Sequence, residues 1–293
     1  MLFAVLIILA LYVLLIIRYA FGWSKLKKLS LEHSSKKVSV IIALRNEESQ
    51  IDYLLKSLQS QIYPTDKLEF ILVNDHSTDA TLDLLEKAKL DNLQIVNMPN
   101  GQFGKKNAIA KAVQIAKGEI ILSSDADCSF TPNWVRTMVS YFSNAHVMLV
   151  SGPVSFHKQN GIFQSLQALE FTSLIGSGAG AIGMENAIFC NGANMAYRKS
   201  IFLEVNDFAT DKAVSGDDVF LLHSVKEKYP KAIAFAKDEN AIVITEGRQS
   251  IKAFINQRKR WAAKSSSYKD FASIYVSYLV LFVNLSIVFL FVM

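Results

Sequence analysis

Two carboxylates one residue apart, Asp125 and Asp127, close the stretch EIILSSDADCSF (Glu119 to Phe130). They follow an apolar run that reads as a buried strand. Hard carboxylate oxygens suit Mg2+ or Mn2+. Such ions are commonly held by one or two carboxylates, with water and phosphate oxygens completing the shell. A metal carrying a diphosphate would offset both charges. A loop with helix-capping acids before Thr131-Pro132 fits the same residues equally well.

A second acidic pair, Asp217 and Asp218, lies in SGDDVFLLHSV. Its chemical reading is a general base. Its structural reading is a capping box from Ser215 to Asp218 for the helix that starts there. Asp75 and Asp79 in NDHSTDAT offer further acids, though Ser77, Thr78 or Asp79 would also cap the next helix. Lys105 suits a phosphate ligand or a solvated helix residue. QRKRW (Gln257 to Trp261) sits on an amphipathic segment. There Ile251, Phe254, Ile255, Trp261 and Ala262 form an apolar stripe, and Arg258, Lys259 and Lys264 face other ways. That pattern suits a helix lying on a membrane.

The elements that must position these groups alternate in type. Val38 to Ala43, Glu69 to Val73, Gln94 to Asn97 and Ile120 to Ser123 read as strands. Helices are expected over Glu47 to Gln61, Ala80 to Ala88 and Lys105 to Lys117. Alternation of this kind implies a parallel sheet with right-handed crossovers. Ligands of such sheets sit beyond the carboxyl ends of the strands. RNEE, NDHSTD and SSDADC all fall there, so three acid-bearing strand ends converge on one crevice. Later, GPVSF, AIFCNGANMAY, AIAFA and AIVIT read as further strands, and Gln164 to Ile182 as a small-residue-rich helix. GAGAIG within it fits the dinucleotide fingerprint in spacing only. It follows a helix-like run instead of a strand, so close helix packing is the better account. GQFGKK lacks the spacing and the Ser or Thr of a phosphate loop.

Of the 293 residues, 51% are hydrophobic, and the excess gathers at the two ends. Leu2 to Ile17 and Phe271 to Met293 are uncharged runs long enough to cross a hydrocarbon layer of about 30 Å. No Lys or Arg precedes the first run and no Ala-x-Ala site follows it, which favours an anchor over a cleaved signal peptide. The second run ends with the chain, which admits a fragment lacking further spans. Lys25, Lys27, Lys28, Lys36 and Lys37 follow the first run. Arg258, Lys259, Arg260, Lys264 and Lys269 precede the second. Positive loops stay on the cytoplasmic side, so the middle is expected in the cytoplasm of an integral membrane protein, as in a bacterial inner membrane. The net charge of +5 lies mostly in this collar and suits anionic headgroups. No nucleic-acid-binding module accompanies it, so nucleic acid is not an expected partner. Cys128 and Cys190 lack CxxC or zinc spacing and read as reduced thiols.

Taken together, the motifs resemble the membrane-bound family 2 glycosyltransferases of GT-A fold, the group of cellulose, hyaluronan and chitin synthases and ceramide glucosyltransferase. VSVIIALRNEE resembles the opening strand and nucleotide loop, VNDHSTDAT the usual Asp-Asp-Gly-Ser-x-Asp, and FGKKNAIAKAV the Gly-Lys segment. SSDADC resembles DxD, SGDDV the base motif, and QRKRW the QxxRW motif. The resemblance implies an α/β, GT-A, mostly parallel sheet between transmembrane helices. Its parts are an N-terminal span over 1–23, a transferase domain over 36–247, an interface helix over 248–268 and a C-terminal span over 271–293. It implies that Ala43, Glu47, Asp75, Lys105, Asp125 and Arg260 bind the nucleotide sugar, and that Asp125 and Asp127 hold Mg2+ or Mn2+. Asp218, with Asp217 beside it, is the implied base. Asn191, Gly192, Gln257 and Trp261 line the acceptor path. Asn74 and His76 depart from the usual Asp and Gly, and Gly-Asp-Asp from the commoner Glu-Asp form.

The implied reaction is an inverting transfer from a nucleoside-diphosphate sugar, a UDP-sugar first, to a lipid-linked or glycan acceptor at the membrane. Two other readings stand beside it. One is a non-catalytic, membrane-anchored nucleotide-binding subunit of a glycan synthase. The other is a nucleotidyltransferase, which should carry a Gly-rich Arg/Lys segment after the first strand, where ALRNEE has no glycine.

Overall fold

A computed structural model of the chain describes residues 2–29, 36–157, 160–205 and 217–292. Four strands follow the expected pattern: β1 (Val38–Leu44), β2 (Leu68–Asn74), β3 (Leu93–Asn97) and β4 (Ile120–Asp125). They run parallel in the order β3-β2-β1-β4. β1, β2 and β4 are rich in Ile, Val and Leu on both faces, as suits a sheet covered on both sides. Val40, Ile41, Ile42, Ile71, Leu72, Ile120, Ile121 and Leu122 are buried.

The helices between them are α2 (Ile51–Gln59), α3 (Thr81–Glu86) and α4 (Lys105–Ile115). α2 begins four residues later than the sequence pattern suggests. The Glu47 and Glu48 N–H groups donate to Thr81 Oγ1 (2.8 Å) and Asp79 Oδ2 (3.2 Å), so this segment is drawn over the β2 loop and out of the helix.

Beyond β4 the sheet becomes mixed. β8 (Met195–Arg198) lies between β4 and β6 (Leu149–Ser151), antiparallel to both, and β9 (Ile233–Phe235) closes that edge. Three short strands, β5 (Ser129–Phe130), β7 (Val154–Phe156) and β10 (Val243–Thr245), form a second sheet in the order β5-β10-β7. The long strand expected over AIFCNGANMAY is confined to Met195–Arg198. Asn191 Oδ1 accepts from Ala193 N (2.9 Å) and its carbonyl from Asn194 N (3.0 Å), which turns the chain tightly just before β8. The other helices of the domain are α5 (Trp134–Ser140), α6 (Ile162–Gly183), α7 (Lys199–Val205) and α8 (Asp217–Lys228).

Two helices, α1 (Leu2–Lys25) and α10 (Phe271–Val292), are long and apolar enough to cross a membrane. α6 packs on α1 through the small residues of GAGAIG. A Cβ on Gly180 would lie 2.3 Å from the Tyr19 carbonyl oxygen, and one on Gly183 would lie 2.0 Å from that of Gly22. Backbones this close tolerate no side chain between them, the usual role of small residues in membrane-type helix pairs. α1 is also tied to the domain at its exit. Lys237 Nζ donates to the Trp23 carbonyl (3.0 Å) and lies over the Trp23 ring, and Lys28 pairs with buried Asp238 (3.3 Å). α10 is anchored where it begins. Asp270 pairs with Lys226 of α8 (2.6 Å), and Ser273 Oγ meets His223 Nε2 (2.9 Å) and the Ile188 carbonyl (3.1 Å).

α9 (Ile251–Ser265) carries QRKRW. Here the expected facing of Arg258 is corrected. Arg258 shares a face with Phe254 and Trp261, stacks on both rings (4.4 and 4.2 Å to the centroids) and is ion-paired with Glu170 of α6. A guanidinium can join an aromatic face because its planar cation is weakly hydrated and stacks on π systems. Ile251 and Ile255 are exposed on α9.

Candidate active site

Parallel pairing sets the carboxyl ends of the first strands side by side. Leu44 pairs with Asn74, Ala43 with Asp125, and Asn74 with Asn97. The loops leaving β1 and β2 are stitched together. Asp75 N donates to the Leu44 carbonyl (2.8 Å), Thr78 N to Asn46 Oδ1 (2.8 Å) and Ala80 N to Glu48 Oε2 (2.9 Å). Asp79 Oδ1 accepts from the Thr81 N–H (3.0 Å) from the position before the α3 N-cap, which is Ala80.

Asp75 is a different case. It is buried, its Oδ2 accepts from Gly104 N (2.8 Å), and its Oδ1 meets His76 Nδ1 (3.0 Å). His76 stands at φ 58°, the left-handed conformation that explains why glycine is usual at this point of the motif. Its ring packs on Phe103 (centroids 4.4 Å apart), and its Nε2 is buried without a hydrogen-bond partner among the described residues.

Gly104 (φ 93°) starts α4, and the next residue, Lys105, is ion-paired with Asp125. One chain of contacts therefore runs from Asp75 through Gly104 and Lys105 to the end of β4. The Cys128 thiol donates to Asp127 Oδ1 (3.7 Å), and Thr245, one residue past the pairing of Ile244 with Ser129, lies beside this stretch. Burial, and then the charge of Asp125, hold the Asp127 carboxyl above the ordinary aspartate range. Glu47 is also raised, by burial and then by the charges of Asp127, Asp125 and Asp79. These acids therefore share one field, and adding a cation lowers the cost of ionising them together.

Among the described residues no three His, Cys, Asp or Glu groups lie close enough to hold a metal by themselves. Asp125 and Asp127 nonetheless fit Mg2+ or Mn2+ in the mode where one or two carboxylates are joined by phosphate oxygens and water. The Lys105 ammonium on Asp125 shows that a cation is accepted there.

The turn before β8 completes the edge. Ser124 Oγ donates to the Ala193 carbonyl (2.6 Å), which fixes Asn191–Ala193 against the residue preceding Asp125. Gly192 N donates to Asp218 Oδ2 (3.0 Å), and Val219 N donates to Asp218 Oδ1 (2.9 Å). A Cβ on Gly192 would lie 3.2 Å from that same Oδ2, so the residue's small size sets how closely the acid approaches. Tyr268 lies near: burial, and then the charge of Asp218, push its phenol up to about 12. Asp217 opens α8, but its side chain lies outside the described part of the chain, as does Ser215 of the expected capping box.

Trp261 is half-buried and reaches the same edge through packed rings. It lies 6.4 Å from Phe171, which stacks on Phe156 (4.3 Å), and Phe156 pairs in register with Thr245, beside the Asp127–Cys128 turn. Gln257 Oε1 accepts from Arg258 (2.9 Å), while Arg260 is exposed. Thr245 and Arg248, which flank the Asp127 side of the edge, carry no motif. The only sequence signal is one basic residue in the polar linker TEGRQS.

A mixed sheet with acids at the carboxyl ends of its first strands defines the GT-A class. The mannosyltransferase PcManGT from Pyrobaculum calidifontis, in complex with GDP-Man and Mn2+, has the same fold. The TM-score is 0.69 at 19% identity, covering 96% of this chain and 82% of that one. Residues 39–205, more than half of the chain, match the model of glycosyl transferase family 2, and the chain belongs to that family. Among curated relatives it is 30% identical to glycosyltransferase AglE of Haloferax volcanii, over 62% of this chain and 59% of that protein. It is 29% identical to the undecaprenyl-phosphate 4-deoxy-4-formamido-L-arabinose transferase of Pectobacterium atrosepticum, over 48% and 43%. The chain thus spans about half the length of these relatives.

Proposed function

We propose that this protein is an inverting glycosyltransferase that moves a sugar from a nucleoside diphosphate to an acceptor at a membrane surface. The observation that carries this reading is the convergence of Asp75, Asp125, Asp127 and Asp218 on one edge of the sheet, each held there by a contact with a neighbouring loop. Asp75, in the stitched loops beyond β1 and β2, marks the nucleobase end, with Ala43 and Glu47 beside it. Lys105 stands between Asp75 and Asp125, within reach of the phosphates.

Asp218 is the base. It takes the proton of an acceptor hydroxyl as the acceptor oxygen bonds to the anomeric carbon. The bond from that carbon to the diphosphate oxygen breaks on the opposite face, and its electron pair leaves with the diphosphate. Two backbone N–H groups orient the Asp218 carboxylate for this step, and a positioned base is worth roughly 10²–10⁴-fold in rate. Asp125 and Asp127 would hold Mg2+ or Mn2+, and the ion would supply Lewis-acid charge to the diphosphate. Asn191 and Gly192 form the wall from which an acceptor meets Asp218, and Asp217 lies beside the base. Gln257, Arg260 and Trp261 belong to the helix that borders this mouth.

The membrane reading rests on α1 and α10 together with the exposed Ile251 and Ile255 of α9. α10 begins beside the helix of Asp218, which supports an acceptor side turned to the membrane surface and a lipid-linked acceptor. The polyprenyl-phosphate relative supports that choice.

The test is nucleoside diphosphate release by the purified full chain in detergent, across a panel of UDP- and GDP-sugars with Mn2+. Release from at least one donor is expected, and D218N should bind that donor while losing turnover. Silence across the panel, or wild-type turnover in D218N, would overturn the reading.

A further inference from the structure

Most cations near the site are already engaged or face outward: Lys105 pairs with Asp125, Arg258 pairs with Glu170, and Arg260 is exposed. Arg248 differs. It lies between β10 and α9, three residues beyond Thr245, which the pairing of Ile244 with Ser129 sets beside the Asp127–Cys128 turn. Its backbone is clamped by the fully packed Gln167: Arg248 N donates to Gln167 Oε1 (2.7 Å), and Gln167 Nε2 donates to the Arg248 carbonyl (3.1 Å). Its side chain has no such clamp. Among the described residues the Nε is sealed from solvent with no hydrogen-bond partner, and no ion pair engages the guanidinium. Its positive charge nevertheless acts on the Asp127 carboxylate.

A buried donor is costly to leave unpaired, and a guanidinium offers a planar fork that matches phosphate oxygens two at a time. The order of groups along the edge says which phosphate. Asp75 follows β2 at one end, Lys105 meets Asp125 at the end of β4, Asp127 comes next, and the β10 end that leads to Arg248 pairs with the strand just after it. A nucleotide with its base at Asp75 and its diphosphate at the Asp pair brings its terminal phosphate to Arg248.

We propose that Arg248 binds the β-phosphate of the nucleoside diphosphate and holds it as the leaving group. This assignment rests on the donor reading above, and adds a residue outside all of the recognised motifs.

The experiment compares binding of UDP, GDP, UMP and GMP to the full chain in detergent with Mn2+, for wild type, R248Q and R248K. Removing the charge-assisted guanidinium contact should make R248Q weaken the preferred diphosphate by about 10- to 100-fold and leave the matching monophosphate within about 2-fold. R248K, which keeps a charge but not the fork, should fall between. Equal loss for mono- and diphosphate, or no loss for either, would overturn the role of Arg248. If R248Q does not fold, R248K decides: diphosphate affinity equal to wild type would overturn the assignment. Wild type that binds neither UDP nor GDP would instead sink the donor reading itself, so the two failures are distinct.

Discussion

Asn194 offers the sharpest test of how the second sheet is held against the first. It is fully buried, and its amide serves three elements at once. Nδ2 donates to the Pro153 carbonyl (2.8 Å) and the Ala241 carbonyl (2.7 Å), and Oδ1 accepts from Trp134 Nε1 (3.0 Å). Asn194→Ala removes all three bonds. The Pro153 carbonyl still accepts from Val243 N (3.0 Å), so the main losers are the Trp134 N–H and the Ala241 carbonyl. Each buried group left without a partner costs about 1–3 kcal/mol, which gives roughly 2–6 kcal/mol in all. Against a typical total of about 5–15 kcal/mol this is a large fraction. At about 2–4 °C per kcal/mol it should lower the unfolding midpoint by roughly 5–20 °C, read by scanning fluorimetry of the full chain in detergent. A double-mutant cycle with Trp134→Phe should show a coupling of roughly 0.5–3 kcal/mol, because both substitutions break the same Trp134–Asn194 bond. A midpoint shift under about 2 °C for Asn194→Ala, or additive effects in the cycle, would refute this reasoning.

Other consequences follow from the same contacts. Gly180→Ala should loosen α1 from α6 at a cost of about 1–3 kcal/mol, seen as a lower midpoint and faster proteolysis. Gly176→Ala, where an added Cβ meets nothing within 4 Å, should be neutral or stabilising by up to about 1 kcal/mol. Cys128 and Cys190 are both buried, and burial first, then the charges of Asp125 and Asp127, push the Cys128 thiol up. Maleimide should therefore label native protein slowly and denatured protein fast; rapid native labelling would contradict their placement. Asp270 is held below the ordinary carboxylate range: burial works against this, but hydrogen bonds from Lys226 and Ser273 outweigh it. Its stabilising contribution is thus present above the unfolded aspartate value of about 3.9 and is lost as pH falls through the lower folded value. An acid series of midpoints should show that loss in wild type and not in Asp270→Asn.

Much of this edge was readable in the sequence, for a physical reason. Runs such as VSVIIAL and EFILV read as buried strands, their alternation with helices makes the sheet parallel, and parallel strands bring their carboxyl ends together. The acids at Asp75, Asp125 and Asp127 follow from that. What the pattern hid came from contacts that hydropathy does not encode. Arg258 counts as polar, yet it lies between two aromatic rings and an acid. The side chain and carbonyl of Asn191 break an apolar run into a turn and a short strand. The start of α2 is delayed because Glu47 and Glu48 donate their N–H groups to side chains 31 to 34 residues away. Arg248 is set apart by an unpartnered buried Nε and by a backbone clamp from Gln167, 81 residues distant in the chain.

The most direct measurement of the central claim replaces the divalent ion with Fe2+, adds the preferred nucleoside diphosphate and ascorbate, and maps backbone cleavage by the hydroxyl radicals formed there. Cuts close to Glu47, Asp125 to Asp127, Asn191 to Gly192, Asp218 and Thr245 to Arg248 in one population of chains are predicted. Cleavage confined to the Asp125–Cys128 stretch, or absent from it, would contradict the claim.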